Sequence, residues 1–270
     1  MTGIDAMMEF RTTYLRAIAE AWRDKSGAYL KALQKDPIKQ LQTIDGYVFP
    51  WDVVLEIESV SSKESLWSPE NAGGWVGRNA LISIWLPPPP DDQEDWGRAW
   101  AAYYDEFPSF LGTRKAVSES TKSGKAQSGP LRESYPLGMG NWKDFLEFTA
   151  VIMRLIAVAW RDPQVRQELK QVDGKPNGVT ILNKWLGYNM TWNMDVEFKL
   201  SGWDSNSPKK DKDCRWNGEC WPTPRPNSCR NGLRFYIPNR PAEPASPPTI
   251  QAIALSAYNV TGDQYPFTCP

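Results

Sequence analysis

Four cysteines, Cys214, Cys220, Cys229 and Cys269, are the strongest nucleophiles in this 270-residue chain, and no histidine accompanies them. Without an imidazole there is no Ser-His-Asp or Cys-His nucleophile system, no His-ligated zinc or haem, and no ordinary neutral-pH proton shuttle. Three chemistries stay open to the thiols. As metal ligands they have five and eight residues between them and a remote fourth member, without the CxxC knuckle of structural zinc sites. As disulfides they form an even set in a Pro-rich stretch, with the connectivity undetermined. As modification sites they are the nucleophiles a tailoring enzyme would use.

Other candidate groups are weaker. Neither G-x-G-x-x-G nor G-x-x-x-x-G-K-[ST] occurs, so no phosphate-cradling loop is encoded. Glu56 and Glu197 sit at matching places in two apolar, alternating runs, the spacing of an outward residue on a solvated strand face rather than of an acid/base pair. Asp24 and Asp162 read as helix caps, and Trp22 and Trp160 as core.

The elements that position these residues come in matched sets. Phe10 to Asp24 reads FRTTYLRAIAEAWRD, Phe148 to Asp162 reads FTAVIMRLIAVAWRD, and eight of fifteen positions are identical. Gly46-Tyr47 answers Gly187-Tyr188, Trp51 answers Trp192, and Leu55-Glu56-Ile57 answers Val196-Glu197-Phe198. Further on, GRNALISIWLPPPP at 77–90 resembles CRNGLRFYIPNRP at 229–241, with an extra loop, Lys209 to Cys220, in the second copy. A repeat this long fits a duplicated domain rather than a solenoid.

Each shared segment predicts an amphipathic helix: Leu15, Ile18, Ala19 and Trp22, and again Met153, Ile156, Ala157 and Trp160, follow helical spacing. Asp162-Pro163 predicts a break and restart there. Strands are expected at Val53 to Glu58 and Asp195 to Leu200, and then at Ala80 to Leu86 and Leu233 to Ile237, each of these latter two ended by proline. Gln93 to Glu106 predicts a helix with Trp96, Trp100 and Tyr103 on one stripe, whereas Thr249 to Tyr258 fits strand or helix. The expectation is an α+β unit, twice, each half burying its own core.

We therefore place a first α+β domain at 1–112, a flexible Ser-, Lys- and Gly-rich linker at 113–140, and a second α+β domain at 141–270 with a Cys/Trp/Pro-rich insertion at 203–229. A net charge of −1 with interspersed signs gives no basic face for nucleic acid, and Lys209, Lys210 and Lys212 read as a solvated loop. No membrane span is expected, and Asp5 and Glu9 speak against a secretory signal, so synthesis in the cytoplasm without a signal peptide is expected, with any export non-classical.

The run LIAVAWRDPQVRQEL at 155–169, with an aromatic-rich turn and the strand MDVEFKL some twenty residues on, resembles the nitrile-hydratase-leader-type (NHLP) domain, derived from the nitrile hydratase alpha subunit. YLRAIAEAWRDKSGAYLKAL at 14–33, with WDVVLEIE at 51–58, looks like a second copy lacking the Asp-Pro. Such leaders belong to precursors of bacterial thiazole/oxazole-modified microcins (TOMM), a bacteriocin class of ribosomally made natural products (RiPPs), and the chain looks like a fused tandem pair. The resemblance implies a nitrile hydratase alpha-like fold and a non-catalytic precursor-like protein without cofactor. It also implies recognition by a maturation enzyme through Trp22, Arg23, Asp24, Trp160, Arg161 and Asp162.

By the same resemblance, Cys214, Cys220, Cys229 and Cys269 are modification candidates, with Ser228 and Thr268 as hydroxyl candidates: each would attack its preceding carbonyl to close an azoline. Nitrile hydratase holds its metal in a Cys-x-x-Cys-Ser-Cys claw, a spacing this chain lacks, which excludes nitrile hydration and leaves a degenerate metal protein as the enzymatic alternative. A different class of function is a structural or assembly protein that self-associates through exposed Trp- and Pro-rich loops, including Pro87 to Pro90, Trp216, Trp221 and Pro222 to Pro226.

Overall fold

The computed structural model describes residues 3–49, 53–60, 79–106, 142–190, 194–204, 213–241 and 248–261. The linker at 113–140, Trp51, Trp192, Lys209, Lys210, Lys212, Thr268 and Cys269 lie outside the described residues.

The repeated apolar stripe produces two long helices, α1 (Gly3–Arg23) and, further along, α5 (Trp142–Arg161). Phe10, Ile18 and Trp22 are buried on the first, and their counterparts Phe148, Ile156 and Trp160 on the second. Helices α2 (Ala28–Lys35) and α3 (Pro37–Gln42) follow α1; α6 (Pro163–Val172) and α7 (Gly178–Leu186) follow α5. The chain then turns through matched left-handed glycines, Gly46 at φ 72° and Gly187 at φ 66°, a conformation a Cβ disfavours.

Four strands come next: β1 (Val54–Ser59), β2 (Ala80–Trp85), β3 (Met194–Lys199) and β4 (Gly232–Ile237). A helix follows the second strand of each half, α4 (Trp96–Glu106) after a short 3-10 turn at Gln93–Asp95, and α8 (Pro248–Thr261). The segment that fitted strand or helix is thus helical, seating Ala254 and Tyr258 in the core.

The strands form one sheet in the order β1-β4-β2-β3. β1 runs parallel to β4, with Val54 opposite Gly232, and β2 parallel to β3, with Ala80 opposite Met194. The central pair, β2 and β4, is antiparallel about Ile82 and Leu233. Every neighbouring pair therefore joins a strand of the first half to one of the second. The α+β class stands, but the expectation of a separate core in each half is corrected: one hydrophobic cluster runs from Phe10 to Tyr258.

The sheet's apolar face carries Leu55, Ile57, Ile82, Ile84, Val196, Phe198, Leu233 and Phe235, all buried. Helix α1 packs on the strand of the other half: the Phe10 and Tyr14 rings lie 5.2 and 5.3 Å from Phe235. Helix α7 presses on β3 so closely that a Cβ on Gly178 would fall 2.7 Å from the Val196 carbonyl oxygen, which admits only glycine there.

Candidate functional site: the Trp-Arg-Asp helix ends and the cysteine loop

Both Trp-Arg-Asp runs end a long helix, and the three side chains part company there. Trp22 is buried and its Nε1 donates to the Pro238 carbonyl at 2.8 Å; Trp160 is buried and its Nε1 donates to the Pro87 carbonyl at 2.8 Å. Pro238 and Pro87 directly follow β4 and lie just beyond β2, and a carbonyl leaving a ladder needs a donor. The bonds are reciprocal, each tryptophan reaching into the opposite half.

Arg23 and Arg161 point to solvent, and Arg23 pairs with Glu20 one helical turn back, at 2.6 Å. Asp24 accepts from the Ser26 hydroxyl at 2.6 Å, the Ser26 amide at 2.9 Å and the Tyr29 amide at 2.7 Å. The Ser26 hydroxyl, and then these amides, hold its carboxyl below the usual carboxylate range. Asp162 caps α6 by accepting from the Gln164 amide at 2.8 Å, with Pro163 in the first helical position, as the sequence predicts. Arg166 then closes the end of α5 by donating to the Trp160 carbonyl at 2.5 Å, with its guanidinium 6.0 Å from the Trp203 ring centre.

The cysteine loop lies against α4. Cys214 and Cys229, both fully buried, are bonded to each other across a Cα separation of 5.7 Å. Trp221 stacks edge-on against Trp85 at 5.6 Å and donates from Nε1 to the Ala99 carbonyl at 2.8 Å. Trp216 donates to an Asp95 carboxylate oxygen at 3.1 Å, and the Arg225 guanidinium sits 4.9 Å over the Trp85 ring. Tyr103 donates to the Trp85 carbonyl at 2.6 Å, and burial pushes its phenol above the ordinary range. The expectation of exposed Trp and Pro anchors is corrected for the indoles and the first proline run: Trp221, Pro87, Pro88 and Pro90 are buried and Trp216 is half-buried, because the indoles fill the space over α4 and β2, whereas Pro224 is exposed.

Cys220 is exposed and outside any disulfide, its Sγ accepting from Asn217 Nδ2 at 3.5 Å. It sits in a turn made by Asn217, whose Oδ1 accepts from the Glu219 and Cys220 amides at 2.9 and 2.8 Å. Of the described candidates for modification, Cys220 and Ser228 face solvent, while Cys214 and Cys229 have no free thiol. Such a set does not fit a nitrile-hydratase-type metal, since two of its sulfurs are spent on each other, and no group of three or more His, Cys, Asp or Glu side chains able to hold a metal occurs among the described residues.

The sheet's other face holds groups that sequence reading placed wrongly or missed. Glu56 does face outward, taking Arg234 Nε at 2.8 Å, with Glu58 at 3.2 Å from the same guanidinium. Glu197 does not: only 6% exposed, it accepts from the Ser83 hydroxyl at 2.5 Å. Glu197 stands opposite Ser83 in the β2–β3 register, which gives its carboxylate a buried donor that alternation alone does not reveal. Lys199 is half-buried nearby, and burial lowers its ammonium despite the opposing pull of Glu197 and Glu56. No helix among the described residues is long and apolar enough to cross a membrane.

Compared with known protein families, the chain matches the model described as "Ribosomal natural product, two-chain TOMM family" over residues 5–111 and again over 143–266. The two matched regions each contain one Trp-Arg-Asp helix and two strands of the sheet, as a tandem pair would. Comparison with curated proteins and with solved structures finds no match.

Proposed function

The chain belongs to the two-chain TOMM family of ribosomal natural products, and from that membership we propose that it is a non-catalytic, precursor-like protein whose leader-like helix ends are recognised by a maturation enzyme. The observation that carries the proposal is the family match over both halves of the chain. Descent from a nitrile hydratase alpha-type unit by duplication belongs to the same proposal, supported by the repeated Trp-Arg-Asp helices and their reciprocal placement.

Within each helix end the roles divide by exposure. Trp22 and Trp160 are held inside, Asp24 is engaged by the Ser26 hydroxyl and the Tyr29 amide, Asp162 caps α6, and Arg23 and Arg161 offer charge and hydrogen-bond donors to a docking enzyme. Arginine presents a planar fork of donors suited to carboxylates, so an acidic groove is the matching surface.

The modification chemistry falls to groups an enzyme can reach. At Cys220 the sulfur would attack the Glu219 carbonyl carbon with loss of the thiol proton, the cyclodehydratase would use ATP to phosphorylate the carbonyl oxygen, and departure of that oxygen as phosphate with loss of the Cys220 amide proton would leave a thiazoline and ADP. Ser228, which faces solvent, and Thr268 and Cys269 are the remaining candidates. Cys214 and Cys229 enter only after reduction.

Co-production of the full chain with a TOMM cyclodehydratase, followed by affinity capture, tests the recognition step. Capture that is lost on replacing Arg23 and Arg161 together supports the reading; a chain that never binds the enzyme overturns it.

A further inference from the structure

No strand in this sheet has a neighbour from its own half. β1 and β2, from the first half, are separated by β4; β3 and β4, from the second, are separated by β2. Adjacent strands lie about 4.8 Å apart, so two strands of one half stand about 10 Å from each other and cannot exchange a hydrogen bond. Taken alone, either half would present two strands with both ladders open, and unpaired buried backbone groups are costly.

The helices repeat the pattern. Phe10 and Tyr14 of α1 rest on Phe235 of β4. Trp100 of α4 donates to the Met153 carbonyl of α5 at 3.0 Å, and Trp96 packs edge-on against Trp160 at 6.0 Å. Polar contacts cross as well: Ser83 to Glu197, the Trp85 amide to Asn231 Oδ1 at 2.8 Å, Arg234 to Glu56, and the two indole bonds to Pro238 and Pro87.

We infer that the two halves, 3–106 and 142–261, are obligate binding partners of each other, a heterodimer-type interface joined by a covalent connection the interface does not need. The partner that fits the open strands of one half is the complementary half, from the same chain or from a second copy. A second copy can therefore close the sheet reciprocally, since the pairings are identical whichever chain supplies them. The inference rests on strand order and on the contacts that cross between the halves, and does not depend on whether the protein is processed.

The test uses the full chain with a specific protease recognition sequence placed within 113–140. After cleavage the two fragments are run by size exclusion at micromolar concentration and unfolded in urea at several protein concentrations. The expected result is co-elution at the position of the uncut protein, retained helical circular dichroism, and an unfolding midpoint that rises with concentration for the cut protein while staying constant for the uncut one. Elution as two separate folded species, or a cut-protein midpoint independent of concentration, would overturn it.

Discussion

The hydroxyl of Ser83 donates to the carboxylate of Glu197 at 2.5 Å, joining two buried residues that lie 114 positions apart and on opposite halves of the chain. Replacing Ser83 by Ala removes a donor to a carboxylate that water reaches poorly, so the loss exceeds that of an ordinary surface bond. We expect Ser83→Ala to lower stability by about 1.5–3 kcal/mol in urea unfolding, and Ser83→Ala with Glu197→Met to recover part of it.

Trp22 and Trp160 are expected to behave alike because their contacts are reciprocal. Trp→Phe at either position keeps most of the ring but strands a proline carbonyl. Each substitution should cost about 1–2 kcal/mol. Equal losses for the pair are the specific expectation, since Trp22–Pro238 and Trp160–Pro87 have the same length.

The two aspartates that follow the Trp-Arg pairs supply a graded and pH-dependent prediction. Asp162→Ala should cost about 1 kcal/mol through loss of the bond to the Gln164 amide. At Asp24 the folded carboxyl is held below its unfolded value, by the Ser26 hydroxyl above all. A depressed carboxylate contributes stability that is present above the unfolded value and lost as pH falls through the folded one. The stability difference between wild type and Asp24→Asn should thus be constant above pH about 4 and shrink below it.

The cysteines should separate by reactivity. In oxidised, folded protein an alkylating reagent is expected to label Cys220 and to spare Cys214 and Cys229, which label only after reduction. Cys214→Ser with Cys229→Ser should lower stability by about 2–4 kcal/mol and raise hydrogen exchange in 213–229 and α4, where Trp216 and Trp221 are docked.

Much of this protein is visible in its residues, and what is hidden has a common cause. Helical spacing placed Met153, Ile156 and Trp160 in the core, although Ala157, read onto the same stripe, is exposed; Asp162-Pro163 marked the break before α6, alternation located β1 and β3, and the closing prolines marked β2 and β4. Periodicity says which face a residue takes but not which strand lies beside it. For that reason Glu197 was expected in solvent, and the interleaving of the halves went unseen. The Trp22 and Trp160 bonds had a faint signal in the prolines that close β2 and β4, because those carbonyls leave the ladder. The pairing of Cys214 with Cys229 had none, since spacing alone does not select among connectivities.

Intact mass of the natively produced protein, measured before and after reduction and alkylation, tests the precursor reading most directly. The account predicts deficits of about 18 Da, or about 20 Da where oxidation follows dehydration, that survive reduction and map to Cys220, Ser228, Thr268 or Cys269. An unshifted mass from cells that express a functional maturation enzyme, with Cys220 and Cys269 fully alkylated, would contradict it.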